Sequence, residues 1–433
     1  MKHFTENILP DSLTGAIFAL EGIRDACVIL NGPTGCKFYH SAISDEQFVR
    51  SLSFDPLSFP EEFYFGQPRV PCTYLDGQDY VYGSAEKLTR LLTNAAKRDY
   101  GLIAVVNSPG AALIGDDLNL ALKRSVGEVP CFCIENSGYS GSLGEGYQNA
   151  VIQALGKLVA EPRAQRPKTV NLLGFCIQQK YYDHNIAELK RLLGLCGIEV
   201  ISTPGALDEA ATLAKIPEAA LNVVVYPEYG DKIARYLKEA WDMDSLALTQ
   251  GPPVGFSASE AFVKEICDYF QADPTPALED IERARARSYL FLSRYASLLG
   301  LPKGALFSVK AEASVAWALT QWLTDYLGMI PAAIQLTEDQ GGAFKARLEG
   351  LLEAMGCGAA LKRPVNATPT QMVFADGSTI AQLKANDCGC CGMEIALPSL
   401  GYLDVVEKTI FGGRGALFIL ENIMNGLRYV PEL

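Results

Sequence analysis

The sequence predicts an α/β protein with parallel sheets flanked by helices, built from three units in series. After the opening residues, short apolar runs typical of buried strands alternate with helix-like segments. Two polar, proline-containing segments, at 161–167 and 273–276, interrupt this alternation and indicate boundaries. We therefore expect Rossmann-like domains over residues 1–163, 164–272 and 273–433.

The first unit opens with the apolar run 26–30, which predicts a buried strand. Residues 31–36 (NGPTGC) follow at once and predict a glycine turn into a helix near Lys37. The later elements expected here are a strand at 102–106, a helix at 116–126, a strand at 129–134 and a helix at 143–159.

The second and third units repeat the pattern of apolar strands separated by helices. In the second unit we expect strands at 170–176, 198–202 and 221–226, and helices at 186–195 and 232–241. In the third we expect helices at 281–299, 313–327 and 379–385, strands at 305–309, 332–336, 371–374 and 393–397, and a last helix entered through the glycines at 412–415.

The acidic composition of the 433-residue chain excludes nucleic acid as a main partner. The formal net charge is −13 and the isoelectric point is near 4.9, whereas proteins that bind phosphate backbones carry basic patches. No apolar stretch approaches the roughly 20 residues that span a bilayer, and no signal-peptide core follows the first residues. We expect a cytoplasmic protein without membrane contact.

Cysteine is the most informative residue type in this composition. In a reducing compartment, twelve cysteines are expected to be free, metal-bound or redox-active rather than paired in structural disulfides. Only three histidines are present, which argues against a histidine-rich zinc or iron site.

Cys36 lies at the end of the strand–turn–helix pattern described above. We expect its sulfur at a positive helix end, where backbone N–H groups favour thiolate over thiol and would suit a metal-bound sulfur. Cys72 lies in a second loop, ahead of a helix-like segment that starts near Tyr82. Either cysteine taken alone is more often a small buried hydrophobe than a ligand.

Three further thiols, Cys388, Cys390 and Cys391, lie within four residues and are spaced by glycines. Such a segment is able to wrap a soft metal ion or to supply ligands to a further metallocofactor. The alternative is that these cysteines fill a tight turn or form a redox-labile pair. In contrast, Cys131 and Cys133 alternate on one face of a predicted strand, and four other cysteines lie in apolar segments where we expect core positions: Cys176, Cys196, Cys267 and Cys357.

Four motifs resemble, in order and spacing, the component 1 subunits of nitrogenases and nitrogenase-like reductases, a superfamily that includes cofactor-assembly scaffolds and tetrapyrrole reductases. They are residues 32–36 (GPTGC), 112–117 (ALIGDD), 138–144 (GYSGSLG) and 412–417 (GGRGAL). The resemblance covers nearly the whole chain. It implies three Rossmann-like domains, an iron–sulfur cluster at a subunit interface, and a separate ATP-dependent iron–sulfur reductase as electron donor.

By this resemblance Cys36 and Cys72 occupy cluster-ligand positions. Where the family often has a third cysteine, this chain has Ser108 followed by proline, and where it has another upstream cysteine the nearest match is Asp11. Aspartate ligation is a variation among the protochlorophyllide-reducing relatives. Two thiolates per subunit predict one [4Fe–4S] cluster shared by a homodimer, or by a heterodimer with a related chain.

The substrate is expected in the cleft between the three domains. The ligands that hold the dinitrogenase cofactor are missing, so dinitrogen is an unlikely substrate, and an unsaturated or macrocyclic small molecule fits better. The family's Ser-Leu-Gly-His becomes Ser-Leu-Gly-Glu, which makes Glu145 a candidate proton donor if burial raises its pKa. The competing interpretation, which we favour, is that Glu145 complements a helix dipole.

Two other functions are compatible with the resemblance. The first is a scaffold that assembles a metallocofactor on Cys388, Cys390 and Cys391. The second is a binding protein that kept the fold and lost the cluster.

Overall fold

A computed structural model describes residues 10–37, 70–135, 141–161, 163–338, 342–386, 388–396, 404–428 and 430. Within these residues the expected α/β architecture is confirmed: three parallel sheets, each flanked by helices, follow one another along the chain. No helix among the described segments combines the length and apolar character needed to cross a bilayer.

The first sheet has three parallel strands in the order β1-β2-β3. Strands β1 and β2 are apolar and buried because helices cover both faces, whereas β3 at the edge is mostly half-buried. The elements of this region are α1 (Ser12–Glu21), β1 (Ala26–Asn31), a 3₁₀ turn (Thr34–Lys37), α2 (Asp79–Tyr82), α3 (Ala85–Ala95), β2 (Leu102–Asn107), α4 (Pro109–Ala112), α5 (Leu118–Ser125), β3 (Cys131–Ile134) and α6 (Leu143–Leu158).

The middle sheet has four parallel strands in the order β5-β4-β6-β7. Its elements are β4 (Arg166–Leu173), α7 (Tyr182–Leu195), β5 (Glu199–Ser202), α8 (Ala210–Leu213), a 3₁₀ turn (Ile216–Glu218), β6 (Ala219–Val224), α9 (Pro227–Trp241), β7 (Ser245–Ala247) and α10 (Gly255–Phe270). Strand β4 begins inside the segment that the sequence assigned to a linker, so the connection between the first two sheets is shorter than expected.

The last sheet, also parallel, has the order β11-β10-β8-β9. The glycines at 412–415 begin a helix, as expected. The elements are α11 (Thr275–Leu299), β8 (Leu306–Ala311), α12 (Ala313–Asp325), β9 (Ile330–Leu336), α13 (Ala343–Ala354), two 3₁₀ turns (Gly358–Lys362 and Val365–Ala367), β10 (Met372–Asp376), α14 (Gly377–Ala385), β11 (Cys391–Ala396) and α15 (Gly412–Leu427).

One buried apolar cluster runs through all three sheets and joins them into a common core. Smaller clusters cover the outer face of the first sheet and the outer face of the last sheet. Ligands of open parallel sheets bind beyond the carboxyl ends of the strands. The residues that follow β1 and β2 therefore lie where such a sheet binds its ligands.

Candidate functional site

Cys36 and Cys72 approach the same end of the first sheet from two different loops. Cys72 lies beside β1, where its neighbours form a short parallel ladder with Leu30: the Leu30 amide donates to Pro71 at 2.9 Å and the Thr73 amide donates to Leu30 at 3.1 Å. Cys36 follows β1 in the 3₁₀ turn. Two stretches separated by more than thirty residues in the sequence therefore meet at the carboxyl end of β1.

A buried network of amide and hydroxyl groups holds the two loops together. Asn31 at the end of β1 donates to Asn107 at the end of β2 at 3.0 Å. The Thr73 hydroxyl donates to Asn31 at 3.0 Å and accepts from the Gly32 amide at 2.9 Å. Such a network has few alternative arrangements, because each buried polar group left unpaired costs about 1–3 kcal/mol. The sequence analysis did not single out these residues.

The Cys72 thiol belongs to the main apolar core and also contacts two backbone polar groups. Its side chain is 1% exposed, its sulfur donates to the Gly32 carbonyl at 3.0 Å, and the Tyr74 amide donates to the sulfur at 3.4 Å. An amide that donates to sulfur is able to stabilise a thiolate in a buried position. Sulfur that is hydrogen-bonded in this way fits a cluster ligand.

Cys36 is half-buried and lies near Ser108 and Asp11, two of the other predicted ligands. Burial raises the pKa of its thiol, a hydrogen bond with the Ser108 hydroxyl lowers it, and the charge of Asp11 raises it again. On balance the pKa is raised, opposite in direction to the effect expected of a helix end. The 3₁₀ turn is described as far as Lys37, and the continuation of the helix expected there lies outside the described residues. Asp11, Cys36, Cys72 and Ser108 nevertheless lie at one end of the sheet.

Ser108 and Asp11 also have structural roles. The Ser108 hydroxyl accepts from the Ala111 amide at 3.3 Å and caps α4, and the Asp11 carboxylate accepts from the Thr14 amide at 3.3 Å and caps α1. A methyl group added at Gly32 would meet the Ser108 oxygen at 2.5 Å. Only glycine allows the turn after β1 to lie this close to Ser108.

Exposed apolar side chains surround this end of the sheet. Tyr80 lies near both cysteines: burial raises the pKa of its hydroxyl, and the charges of Cys36, Asp79 and Cys72 raise it further. Beside it, Val81, Tyr82 and Leu113 are 73%, 86% and 88% exposed. Large apolar side chains this exposed, on neighbouring turns, are typical of a protein interface.

Within the described residues of one chain the ligand set is incomplete. Among the described residues, no group of three or more histidine, cysteine, aspartate or glutamate side chains is arranged to hold a metal ion. Two thiols with hydrogen-bond support suit half of a four-thiolate cluster. The donor set therefore fits a cluster only if a second subunit supplies the rest.

Glu145 does not have the environment of a proton donor. Its carboxylate accepts from Lys232 at 3.0 Å and completes a capping box with Ser142 at the start of α6. The Lys232 ammonium lowers the pKa of Glu145, which keeps the carboxylate ionised. The competing interpretation, a glutamate that complements the helix dipole, describes the site better. Residues 138–140 of the motif at 138–144 lie outside the described residues.

The second cysteine group is divided between two faces of the last sheet. Cys388 and Cys390 pack against the small apolar cluster on the outer face. Cys391 points to the other face, where its sulfur lies against Gly426 of α15. Neighbouring strand residues alternate in direction, so Cys390 and Cys391 diverge. The three thiols are not gathered into one ligand group.

Most of the remaining cysteines lie in the positions that the sequence predicts for them. Cys131 and Cys133 share one face of β3 and are half-buried, with the pKa of Cys133 raised to about 11, mainly by burial. Cys357 is an exception to the predicted core positions, since it is only half-buried and lines a cavity of about 470 Å³ at the amino ends of β8 and β9. The others are buried: Cys176, Cys196 and Cys267.

Buried aromatic side chains pack where the middle sheet meets the start of α15. Phe175, Tyr226 and Phe411 pack with ring centroids 5.3–6.3 Å apart. Buried acids lie nearby, and Tyr229 donates to Glu312 at 3.2 Å. In the sequence these acids look like ordinary residues at the start of a helix. Nothing in the sequence indicates that they are buried.

Comparison with known proteins identifies the family. The family model described as "Nitrogenase component 1 type Oxidoreductase" matches residues 12–428. A light-independent protochlorophyllide reductase subunit from Methylocella silvestris is 32% identical over 279 residues, which cover 62% of this chain and 51% of that protein. Its counterpart from Chlorobium phaeovibrioides is 25% identical over 350 residues, which cover 77% of this chain and 64% of that protein. The chain spans about half the length of the curated relatives it matches.

A solved structure of nitrogenase Cp1 at pH 6.5 superposes with a TM-score of 0.76 at 17% identity, covering 97% of this chain and 93% of that chain. At this identity the similarity establishes the fold alone. It agrees with the three-sheet architecture described above.

Proposed function

Because the chain belongs to the nitrogenase component 1 type oxidoreductase family, we propose that it is one subunit of an iron–sulfur oxidoreductase that reduces a small molecule. The convergence of Cys36 and Cys72 at the carboxyl end of β1 is the observation that supports this proposal most. The relatives in the comparison are named as reductases, although the chain spans only about half of their length.

The cluster belongs at an interface between two subunits. Each chain supplies Cys36 and Cys72, so a homodimer or a heterodimer with a related chain offers the four thiolates of a [4Fe–4S] cluster. The exposed side chains of Val81, Tyr82 and Leu113 give the second subunit an apolar surface to cover. Asp11 and Ser108 lie close enough to Cys36 to modify its charge and hydrogen bonding, or to complete the ligand set.

A bound cluster supplies one-electron transfer, and the protein tunes its potential through charge, hydrogen bonds and solvent access. The Tyr74 amide and the Ser108 hydroxyl are the hydrogen-bonding groups near the two sulfurs. The buried Asn31–Thr73–Asn107 network holds the ends of β1 and β2 against the loop of Cys72. These residues would bind and orient the cluster with little rearrangement.

Electrons would arrive from an ATP-dependent iron–sulfur reductase, as the family implies. The substrate would be an unsaturated or macrocyclic small molecule rather than dinitrogen. We place the substrate near the cluster at the subunit interface, since buried aromatic side chains occupy the contact between the middle sheet and the start of α15. All twelve cysteines lie within the described residues as free thiols. The scaffold alternative loses support because Cys391 lies apart from Cys388 and Cys390.

Anaerobic purification followed by iron and acid-labile sulfide analysis and electron paramagnetic resonance tests this proposal. We expect about two iron atoms per chain, since two chains share four. Cys36→Ser and Cys72→Ser should each abolish the signal, whereas Cys133→Ser, a half-buried thiol of the same sheet, should retain it. Turnover with a nitrogenase-type iron protein, ATP and a strong reductant then tests the oxidoreductase activity. Iron-free wild-type protein, or iron retained by both ligand variants, would contradict the proposal.

A further inference from the structure

Buried polar side chains connect the three domains where their helices begin. Gln148 of α6, in the first domain, reaches into α9 of the second. Its amide nitrogen donates to the Glu228 carbonyl at 3.0 Å and its amide oxygen accepts from the Lys232 amide at 2.6 Å. In an α-helix these two backbone groups, four residues apart, are each other's natural partners. One side chain of the first domain therefore binds both backbone groups of a single turn of the second.

The second domain contacts the third in the same manner. Glu228, in the first turn of α9, accepts from the Ser314 amide at 2.7 Å and from the Ser314 hydroxyl at 2.8 Å. Ser314 lies in the first turn of α12, where free backbone N–H groups favour an acceptor. Next to this contact, Tyr229 donates to Glu312, the residue before α12.

The third domain in turn contacts the first. Glu338, just after β9, accepts from the Gly144 amide at 3.2 Å, in the first turn of α6. Each domain thus supplies one acceptor to a helix of the next, and the contacts close into a cycle. We call Gln148, Glu228, Ser314, Glu338 and Gly144 the interdomain cycle.

We propose that the interdomain cycle is a proton-controlled latch that fixes the relative positions of the three domains, with Glu228 as the group that gains and loses the proton. The geometry accommodates both forms. When Glu228 is protonated, one carboxyl oxygen still accepts from the Ser314 amide. The other donates its proton to the Ser314 hydroxyl, because a hydroxyl is able to accept as well as to donate. On deprotonation the proton leaves to solvent and an ionised carboxylate remains in a buried interface.

The charges around Glu228 disfavour its ionised form. Burial raises the pKa of Glu228 to about 7, against the lowering effect of the Ser314 hydrogen bonds, and the charge of Glu312 raises it further. Burial also raises the pKa of Glu312, with a further contribution from Glu338. The charge of Glu228 acts on Tyr226 and Tyr229, whose pKa values burial raises. From α6, Tyr147 packs against the Tyr229 ring, and the carboxylate of Glu145 is paired with Lys232.

The direction of the pH effect follows from this raised pKa. The folded pKa of about 7 lies above the ordinary value of 4.5, so the latch contributes fully below pH 4.5 and loses its contribution as the pH rises through 7. Across that interval the equilibrium constant for opening rises by up to about tenfold per pH unit, because one proton is released. This inference does not depend on the proposed iron–sulfur cluster.

Urea unfolding of the full chain between pH 5.5 and 8.5, followed by tryptophan fluorescence, tests the latch. Two of the three tryptophans, Trp317 and Trp322, lie on α12, the helix that Glu228 caps. We expect the wild-type midpoint to fall with pH, and Glu228→Gln, which keeps the shape without the charge, to reduce that fall. Glu145→Gln is the matched control: because the Glu145 pKa is lowered, it should retain the wild-type dependence.

Hydrogen exchange of the peptide that begins α12, corrected for the intrinsic effect of pH, gives the local readout. Wild type should lose protection there between pH 6 and 8, whereas Glu228→Gln should keep it. If Glu228→Gln does not fold, Ser314→Ala replaces it, and the loss of protection should move to higher pH because a carboxylate hydrogen bond is removed. An unchanged pH dependence in the folded variant, or a global change without a local one, overturns the proposal.

Discussion

In two cysteine-containing regions of this molecule, the distance between thiols along the sequence does not predict their distance in the fold. Cys36 and Cys72 are far apart in the chain, yet they meet at the end of the first sheet through the ladder beside Leu30. Cys390 and Cys391 are adjacent, yet they point to opposite faces of the last sheet. Proximity in a parallel sheet depends on which strand ends coincide, whereas adjacent residues of one strand are separated by its alternation.

The surroundings differ as well. The first pair is held by a buried polar network and lies beside exposed apolar side chains, as a shared site requires. In the second region Cys390 and Cys391 are separated by the sheet and are individually packed, with burial raising the pKa of each thiol. A short cysteine-rich segment is therefore weaker evidence for a metal site than two thiols brought together by the fold.

The largest expected effect comes from breaking the close packing of the first region. Gly32→Ala places a methyl group 2.5 Å from the Ser108 oxygen, and Ser108 is fully buried and unable to move away. We expect about 3 kcal/mol of destabilisation from overpacking, together with loss of bound iron. Chemical denaturation and iron analysis measure both.

Gly35→Ala is the matched control for this variant, because nothing lies within 4 Å of its added methyl group. It belongs to the same turn and should leave stability nearly unchanged. Equal losses in the two variants would show that the turn tolerates no side chain at all, and the role assigned to Ser108 would then be wrong.

An intermediate effect is expected in the second region. Gly426→Ala in α15 brings a methyl group 2.1 Å from the Cys391 sulfur, so we expect about 1–2 kcal/mol of destabilisation. Adding Cys391→Ala should recover part of that loss, since the sulfur is removed while the Cβ atom of residue 391 stays 2.8 Å from the added methyl group. A double-mutant cycle measured by urea denaturation checks the coupling.

Gly350→Ala provides the comparison in α13, where an added methyl group meets nothing within 4 Å. Helix propensity alone should stabilise this variant by about 0.5–1 kcal/mol. If Gly426→Ala behaves in the same way, Cys391 does not face α15.

The smallest expected effect comes from Glu145, which caps α6 together with the residue that pairs with Asp11. Ser142, which caps α6 together with Glu145, pairs with Asp11 in a short antiparallel bridge. Glu145→Gln should cost only about 0.5 kcal/mol at pH 7, because the Glu145–Lys232 ion pair is partly exposed and screened by solvent.

The pH dependence of this contribution has a definite sign. The folded pKa of Glu145 is lowered, so its stabilisation is present above the ordinary value of 4.5 and is lost as the pH falls through the folded pKa. Thermal unfolding of wild type and Glu145→Gln at pH 7 and pH 3 should therefore converge at the lower pH. A difference that persists at pH 3 would mean that packing, not charge, accounts for the effect.

Much of the fold was predictable because the strands of parallel sheets are continuous apolar runs. The runs near 26–30 and 102–106 became β1 and β2 with small changes at their ends. Helix α1 was missed because all ten of its residues are buried, so the segment has no polar face and no helical periodicity. The predicted linker at 161–167 extends too far, because Arg166 already belongs to β4, whose first residues are polar and exposed.

The candidate site was only partly predictable. Cys36 and Cys72 stood out from their own loops, whereas their pairing as cluster ligands and the candidates Asp11 and Ser108 came from family resemblance. The structure places all four at one end of the first sheet. Their role as ligands stays a prediction. Tyr80 and the Asn31–Thr73–Asn107 network carried no recognisable motif. Glu145 was weighed as a proton donor, but its partner Lys232 lies on α9 of the neighbouring domain, where sequence spacing gives no information.

The sequence by itself determined the three α/β units, the strand at 26–30 with its glycine turn, and the family, because apolar periodicity and ordered motifs are local properties of the chain. Only the tertiary structure decided which thiols meet, which acids are buried and how the domains hold one another. Those outcomes depend on contacts between residues tens to hundreds of positions apart, and on the burial that sets their pKa values.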